Sequence, residues 1–321
     1  MRKKIFCTVG PSSLNKKFLK FSNGNVDLLR INLSHVKLEN LPKLINFIRK
    51  YSSVPICIDT EGAQIRTKVR KYKFFKKKSS LKIYKEKGNF KLYPENVYDQ
   101  LKKNDILDIG FSGLEVKVRS KNESFLVATV LKDGLLETNK GVHLKNRKIK
   151  LEFVTYKDKK AIKIAKKYKI KNFALSFTNS ADDVKKFNNL IKHENKIFKL
   201  ETKSALSDLN NILKLGKNFL IDRGDLSKDI SIELIPVAQR QITKLGKKKN
   251  KNIFVATNFL ESMLLNNLPT RGEVNDIYNT LEIGAKGLVL AAETAVGKFP
   301  VECVLIIKKI MKTFNRASKN F

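Results

Sequence analysis

Eight short apolar runs recur along the chain, and most are continuous rather than alternating: IFCTVG (5–10), DLLRINLS (27–34), VPICIDT (54–60), NFALSF (172–177), IFKLE (197–201), FLIDR (219–223), IFVATN (253–258) and GLVLAAE (287–293). Strands covered on both faces have this composition. The segments between them carry apolar residues at helical spacing. Asn40 to Tyr51 sets Leu41, Leu44, Ile45 and Ile48 on one face, Lys157 to Lys167 sets Ile162, Ile164 and Ala165 among lysines, and Ala181 to His193 carries Val184, Phe187, Leu190 and Ile191. Ser231 to Leu245 and Asn275 to Ile283 repeat the pattern, and a last helix runs from Val301 to about Phe314. Strand and helix in alternation predict a parallel α/β sheet. Eight strands predict that it closes as a (β/α)8 TIM barrel. Periodicity alone also allows a doubly wound open sheet.

The rhythm breaks from about Lys68 to about Leu151. LKIYKE, DILDIG, LEVKV, SFLVATV and HLKNRKIKL alternate like antiparallel strands, with turns at Lys87-Gly88-Asn89 and Lys132-Asp133-Gly134. We therefore expect a barrel over residues 1–67 and 152–321, and a small β-rich domain over 68–151 inserted after the third strand.

Composition narrows the function classes. A chain of 321 residues with 42% hydrophobic residues can bury a full core. No apolar run approaches the roughly eighteen residues of a membrane span, and the apolar part of MRKKIFCTVG is too short for a signal peptide, with Pro11 close behind. Cys7, Cys57 and Cys303 are scattered and show no metal or disulfide spacing, which fits a reducing cytoplasm. The net charge of +36 attracts anions. Lysine is spread along the whole chain beside Ile, Asn and Phe, with no arginine-rich arm, so neither nucleic acid nor a membrane is the expected partner.

Polar residues gather at the carboxyl ends of the strands: Arg30 to Ser34, Asp59-Thr60, Lys199 with Glu201, Arg223 to Asp225, Thr257-Asn258 and Glu293-Thr294. In a parallel barrel these ends share the face where active sites form. A single carboxylate there often only caps a helix. Glu201 and Asp225 together, with Lys199 two residues before Glu201 on the same side of its strand, suit a Mg2+ site. Gly224 permits a tight turn, whose following peptide N–H groups could bind a carboxylate or phosphate.

Nine segments then carry a resemblance. IFCTVGPSS, LLRINLSH, IDTEGAQIRT, KGVHL, KLE, RGDL, VATNFLESM, PTRGE and AAETAVGKFP are similar to successive motifs of the pyruvate kinase family, in the family's order and over nearly the whole chain. The resemblance implies a barrel with a lid inserted after strand three, and transfer of a phosphoryl group from phosphoenolpyruvate to ADP. It implies that Glu201 and Asp225 hold Mg2+ or Mn2+ and that Lys199 neutralises the transferring group. By the same resemblance, Arg30 would bind the phosphate. The backbone at Gly224 and Asp225, with Thr257, would hold the substrate carboxylate, and Thr257 would also help protonate the enolate. Asn32, Ser34, Asp59 and Thr60 match a monovalent-cation site for K+. Pro11, His35, Arg66 and Lys140 match positions around the nucleotide.

The sequence also departs from the family. Glu61 and Ala63 replace a Lys and a Pro. Gln64 replaces the Glu or Lys that tracks dependence on K+, which leaves K+ use open. Gly110-Phe111-Ser112 stands where the lid carries Asp-Asp-Gly, with Asp108 nearby. Asp222 replaces a small residue, Phe198 a Ser and Ser227 a Gly. The family's C-terminal effector domain is expected to be absent, and sugar-phosphate activation with it. A homo-oligomer is left open. Two other functions compete with the kinase: a barrel enzyme using the same metal and enolate site without phosphorylating ADP, and a non-catalytic basic binding protein.

Overall fold

The structure is a computed structural model that describes residues 2–110, 113–147 and 149–320. The chain divides into two compact units, one holding the residues up to Gly62 and from Tyr156 onward, the other Ala63–Thr155.

The first unit begins with β1 (Lys4–Thr8), β2 (Leu28–Asn32) and β3 (Ile56–Asp59). The second unit carries β4 (Ile65–Val69), β5 (Lys73–Phe75), β6 (Ser80–Tyr84), β7 (Phe90–Tyr93), β8 (Ile106–Ile109), β9 (Leu114–Lys121), β10 (Phe125–Lys132), β11 (Gly134–Leu136) and β12 (Gly141–Leu144). The first unit resumes with β13 (Asn172–Leu175), β14 (Asn195–Leu200), β15 (Asn218–Asp222), β16 (Asn252–Ala256) and β17 (Gly287–Leu290). The strands β1-β17-β16-β15-β14-β13-β3-β2 form a closed barrel, paired in parallel throughout. The eight-strand barrel expected from the alternation is present, and the open sheet is not.

Each strand of this barrel sends an apolar side chain into one inner cluster: Phe6, Leu28, Cys57, Ala174, Ile197, Leu220, Phe254 with Ala256, and Val289. Side chains alternate faces along a strand. Two residues further on, at the carboxyl end, the same inward parity falls on Thr8, Arg30, Asp59, Ser176, Lys199 and Asp222. The apolar layer is thus a floor, and a polar layer stands directly on it. Outward positions pack against the helices instead. Phe198 is fully buried between Phe187 and Phe219, with ring centroids 6.0 and 5.9 Å away. Its replacement of a Ser lies on the outer face and not in the site.

Ala63–Thr155 is wider at both ends than the expected insert, because β4 pairs with β7 and β12 inside the second unit. Seven strands close there in the order β10-β6-β7-β4-β12-β8-β9 around a separate apolar core, with β11 and β5 forming a two-stranded sheet. The strand expected to run to Leu151 stops at Leu144, where the Asn146 side chain accepts the Ile106 amide at 3.1 Å and ends the ladder. Phe111 and Ser112, in the altered lid turn, lie outside the described residues. Asp108 is placed on β8, opposite Glu115 and His143.

Helix starts also moved. The helix expected from Asn275 begins at Arg271, because Thr270 and Glu273 form a reciprocal capping box. Ser231–Leu234 holds a short 3-10 turn, and the helix proper is Ile235–Lys248 with Pro236 in its first turn. Where the chain leaves the barrel, buried Asp158 accepts the amides of Glu61 and Gly62 at 2.7 and 3.1 Å. Gly62 has φ +68°, and a Cβ there would stand 2.5 Å from the Ser176 carbonyl oxygen, so only glycine fits.

Phe198→Ala removes a ring closely packed between two others and should destabilise the protein by about 3–5 kcal/mol. Urea unfolding of the two proteins measures this; a loss near zero would mean that the outer layer collapses into the gap.

Candidate active site

The polar layer concentrates charge in a small volume. The Lys199 ammonium is 4% exposed and lies 2.8 Å from Glu201 Oε1, 3.5 Å from Asp59 Oδ2 and 3.6 Å from Asp222 Oδ2, and it donates to Ser176 Oγ at 3.2 Å. Arg30 donates through Nε to Thr8 Oγ1 at 3.0 Å. Its Nη1 stands 3.5 Å from Asp59 and makes no hydrogen bond. Ser176 Oγ also donates to Asp59 Oδ1 at 3.1 Å, tying β13 to β3. Ser176 was not picked out from the sequence, although its parity with Ala174 points it inward.

Burying charges costs several kcal/mol each unless they are paired. Burial works against the Lys199 ammonium, but Asp59, Glu201 and Asp222 outweigh it and hold its pKa above the ordinary lysine value. Arg30 is likewise raised, by Asp59 and Asp222 against the pull of its burial. Both side chains stay cationic at any working pH. Glu201 behaves in the opposite way. Burial drives its carboxyl above the usual carboxylate range, Lys199 opposes this, and Asp225 and Asp222 add to it. The two shifts agree once the charges are set out. The ammonium has three carboxylates around it, whereas Glu201 has one ammonium and two like charges beside it.

This surplus of negative charge fits a divalent cation. Glu201, Asp222 and Asp225 each present a carboxylate oxygen, and the three oxygens lie within 4.8 Å of one another. Glu201 Oε2 accepts the Phe177 amide at 2.6 Å. Its buried Oε1 has Lys199 close by but no hydrogen bond in acceptable geometry, so lone pairs remain for an ion. Asp225 pairs with Lys228 at 2.7 Å. The expected pair, Glu201 and Asp225, is brought together, and Asp222 joins it.

Beyond the carboxylates, the rim is built on strained backbone. Thr257 has φ +73° and Asn258 φ +57°, and a β-branched residue rarely adopts such a value. Neighbours hold it there. Thr257 Oγ1 accepts the Gly224 amide at 2.8 Å and donates to the Ala256 carbonyl at 2.6 Å, while Arg223 donates to the Thr257 carbonyl at 3.2 and 2.5 Å. Arg223 is itself held by Asp276 and lies over the Phe259 ring at 4.3 Å. Strain retained at such expense is common at functional sites. Ser227 donates to the Gly224 carbonyl at 2.9 Å and so steadies the same turn.

The other expected residues divide into groups. Asn32 stands opposite Asp59 in the β2–β3 register and accepts the Ser34 amide at 3.0 Å, and Thr60 follows Asp59 with its hydroxyl accepting the Ser176 amide. These four lie at two adjacent strand ends. Pro11 and His35 are exposed in turns of the barrel unit. Arg66 and Lys140 belong to the second unit, on or beside the paired strands β4 and β12, where Arg66 donates to the Asn139 carbonyl and Lys140 pairs with Glu137 at 3.1 Å. Glu293, at the eighth strand's rim, is structural: its carboxylate accepts the amides of Phe259, Leu260 and Ala291. Buried Glu61 is neutralised by Lys157 at 2.8 Å, which also donates to the Leu33 carbonyl.

A family model described as the barrel domain of pyruvate kinase matches residues 1–304. The chain belongs to the pyruvate kinase family. Pyruvate kinase of Thermotoga maritima is 33% identical over 326 aligned positions, covering 96% of this chain and 70% of the relative. That of Methanocaldococcus jannaschii is 30% identical, covering 100% of this chain and 71% of the relative. For the pyruvate kinase of Geobacillus stearothermophilus the figures are 30%, 96% and 56%. Family membership accounts for the barrel and for the order of the motifs, and it makes the chain a phosphotransferase. No helix among the described residues is long and apolar enough to cross a membrane.

The raised Glu201 pKa has a sign that can be checked. In metal-free protein the native state holds this proton more tightly than the unfolded chain. Its contribution is therefore full below the ordinary carboxylate range and is lost as pH rises through the raised value. With EDTA present, wild-type stability should decline relative to Glu201→Gln as pH is taken from about 5 to 9. Parallel urea-unfolding curves for the two proteins would show Glu201 ionised throughout.

Proposed function

We propose that the chain transfers the phosphoryl group of phosphoenolpyruvate to ADP, giving pyruvate and ATP. The observation that carries this reading is the buried Lys199 ammonium, set in one layer with Arg30 and beside Glu201, whose carboxylate lies within 4.8 Å of that of Asp225, in a chain of this family. In the reaction the bond from the enol oxygen to phosphorus breaks and a bond from an ADP phosphate oxygen to phosphorus forms. The enolate left behind gains a proton at its methylene carbon.

Positioning and charge stabilisation supply most of the rate in such transfers. Lys199, fixed as a cation, neutralises charge on the phosphoryl oxygens in flight. The Arg30 Nη1 group makes no hydrogen bond and can donate to a phosphate oxygen. Glu201 and Asp225 would hold Mg2+ or Mn2+, which supplies Lewis-acid stabilisation of phosphoryl and enolate oxygens. The Gly224 and Asp225 amides and Thr257 orient the substrate carboxylate. For this the Thr257 hydroxyl must exchange its bond to the Gly224 amide for one to the substrate, and the strained Thr257 backbone suits a hydroxyl that changes partner and helps to deliver the proton. Asn32, Ser34, Asp59 and Thr60 form the candidate K+ site. Pro11, His35, Arg66 and Lys140 are the candidate nucleotide contacts, and the second unit is the candidate lid. A reducing cytoplasm suits three free, buried thiols.

Incubation with phosphoenolpyruvate, ADP and Mg2+, with and without K+, should yield pyruvate and ATP in equal amounts. Pyruvate formed without ATP would remove ADP as the acceptor. Lys199→Met should lower kcat by about a thousandfold or more, and because it strips a buried cation from three carboxylates it should also destabilise the fold by about 3–5 kcal/mol, so turnover is read on protein that circular dichroism shows folded. Turnover within a few-fold of wild type would contradict the role given to Lys199.

A further inference from the structure

Asp222 replaces a small residue of the family's motif, and the reaction scheme above gives it no task. Its position is nevertheless specific. It shares the inward parity of Leu220, is 4% exposed, lies 3.6 Å from Lys199 and has a carboxylate oxygen within 4.8 Å of those of the two expected metal ligands. It makes no side-chain cap to the short helix Arg223–Leu226 that it precedes. At 3.6 Å its contact with Lys199 is too long for a hydrogen bond, and Lys199 already has Glu201 at 2.8 Å and Ser176 at 3.2 Å. A buried carboxylate that shares its one near cation with two others, and is the most distant of the three, is under-compensated.

We infer that Asp222 is a third carboxylate ligand of the divalent-metal centre, which this chain therefore builds from Glu201, Asp222 and Asp225. The inference rests on the reading of Glu201 and Asp225 as metal ligands and extends it. The three oxygens lie within 4.8 Å of one another. An octahedral ion with bonds of about 2.1 Å puts opposite ligands roughly 4 Å apart, so a small side-chain adjustment closes the site. Glu201 Oε1, buried and ion-paired with Lys199 at 2.8 Å, makes no hydrogen bond in good geometry, so this member of the group keeps capacity for an ion. Charge supports the assignment. Asp59, Glu201, Asp222 and Asp225 outnumber Arg30, Lys199 and Lys228 by one, so the cluster keeps a net negative charge that a divalent cation would offset. Added ligand charge raises affinity for such an ion. The same negative field weakens the hold on a phosphorylated anion. This chain should therefore bind its metal more tightly, and its phosphorylated substrate less tightly, than a centre with only two carboxylates.

Mn2+ serves as the probe, without substrate, in the full chain. Binding is followed by electron paramagnetic resonance for the wild type, Asp222→Ala, Asp222→Asn and Glu201→Gln. Line broadening in 17O-labelled water counts the waters on the bound ion. Far-ultraviolet dichroism and urea midpoints of the metal-free proteins check folding, and Asp222→Asn keeps the side-chain volume. We expect both Asp222 variants to raise the Kd for Mn2+ about tenfold or more and to carry one more water on the ion than wild type. A Kd unchanged in both, with binding lost in Glu201→Gln, overturns the third ligand and leaves the two-carboxylate centre intact. A raised Kd with an unchanged water count also overturns it, because Asp222 then acts only through its charge. Undiminished binding in Glu201→Gln overturns the metal centre itself, and the third ligand with it.

Discussion

An ammonium group held among carboxylates and nearly shut off from solvent fixes the character of the whole barrel mouth. Lys199 could not be buried without Asp59, Glu201 and Asp222, and those carboxylates could not be buried without Lys199 and Arg30. Each strand contributing to this balance must therefore end at a set height. The parallel register does that: Asn32 pairs with Asp59, and Asp222 with Ala256. The apolar floor beneath keeps water away from the charges, which strengthens every interaction above it. Fold and site are one arrangement seen at two levels of the same strands.

The balance also explains why the site remains incomplete in energetic terms. The carboxylates outnumber the cations, and the excess is felt by Glu201. A protein could remove that excess with another lysine. This one leaves it, and leaves Glu201 Oε1 and Arg30 Nη1 without hydrogen bonds. One of these atoms attracts a cation and the other an anion, a short distance apart across Asp59 and Lys199. A metal ion and a phosphorylated substrate together would satisfy both.

Much of this was legible in the sequence, and the limits have physical causes. Continuous apolar runs disclosed buried parallel strands, and the polar residues at their ends disclosed the functional face. Parity along each strand carried more than was taken from it. Counting by two from Leu220 and Ala174 reaches Asp222 and Ser176, and both belong to the charged layer. Other features depend on partners distant in sequence. Nothing local tells that Glu61 is neutralised by Lys157, or that Glu293 accepts the amides of Phe259 and Leu260. The left-handed backbone of Thr257 is set by Gly224 and Arg223 from the neighbouring strand end, and a threonine gives no local sign of it. The bounds of the second unit were misjudged for a similar reason: β4 reads as the tail of a barrel strand until its pairing with β7 and β12 is known.

The carboxylate of Asp158 has a consequence for how such a chain can change over time. It accepts the amides of Glu61 and Gly62, the last barrel residues before the excursion, from the first turn of the helix that resumes the barrel after it. The way out and the way back are thus stapled together by the barrel's own atoms, whatever lies between them. An excursion anchored in this way behaves as a graft. Away from the residues proposed to meet the nucleotide, its length and sequence can drift while the staves on either side keep their registration.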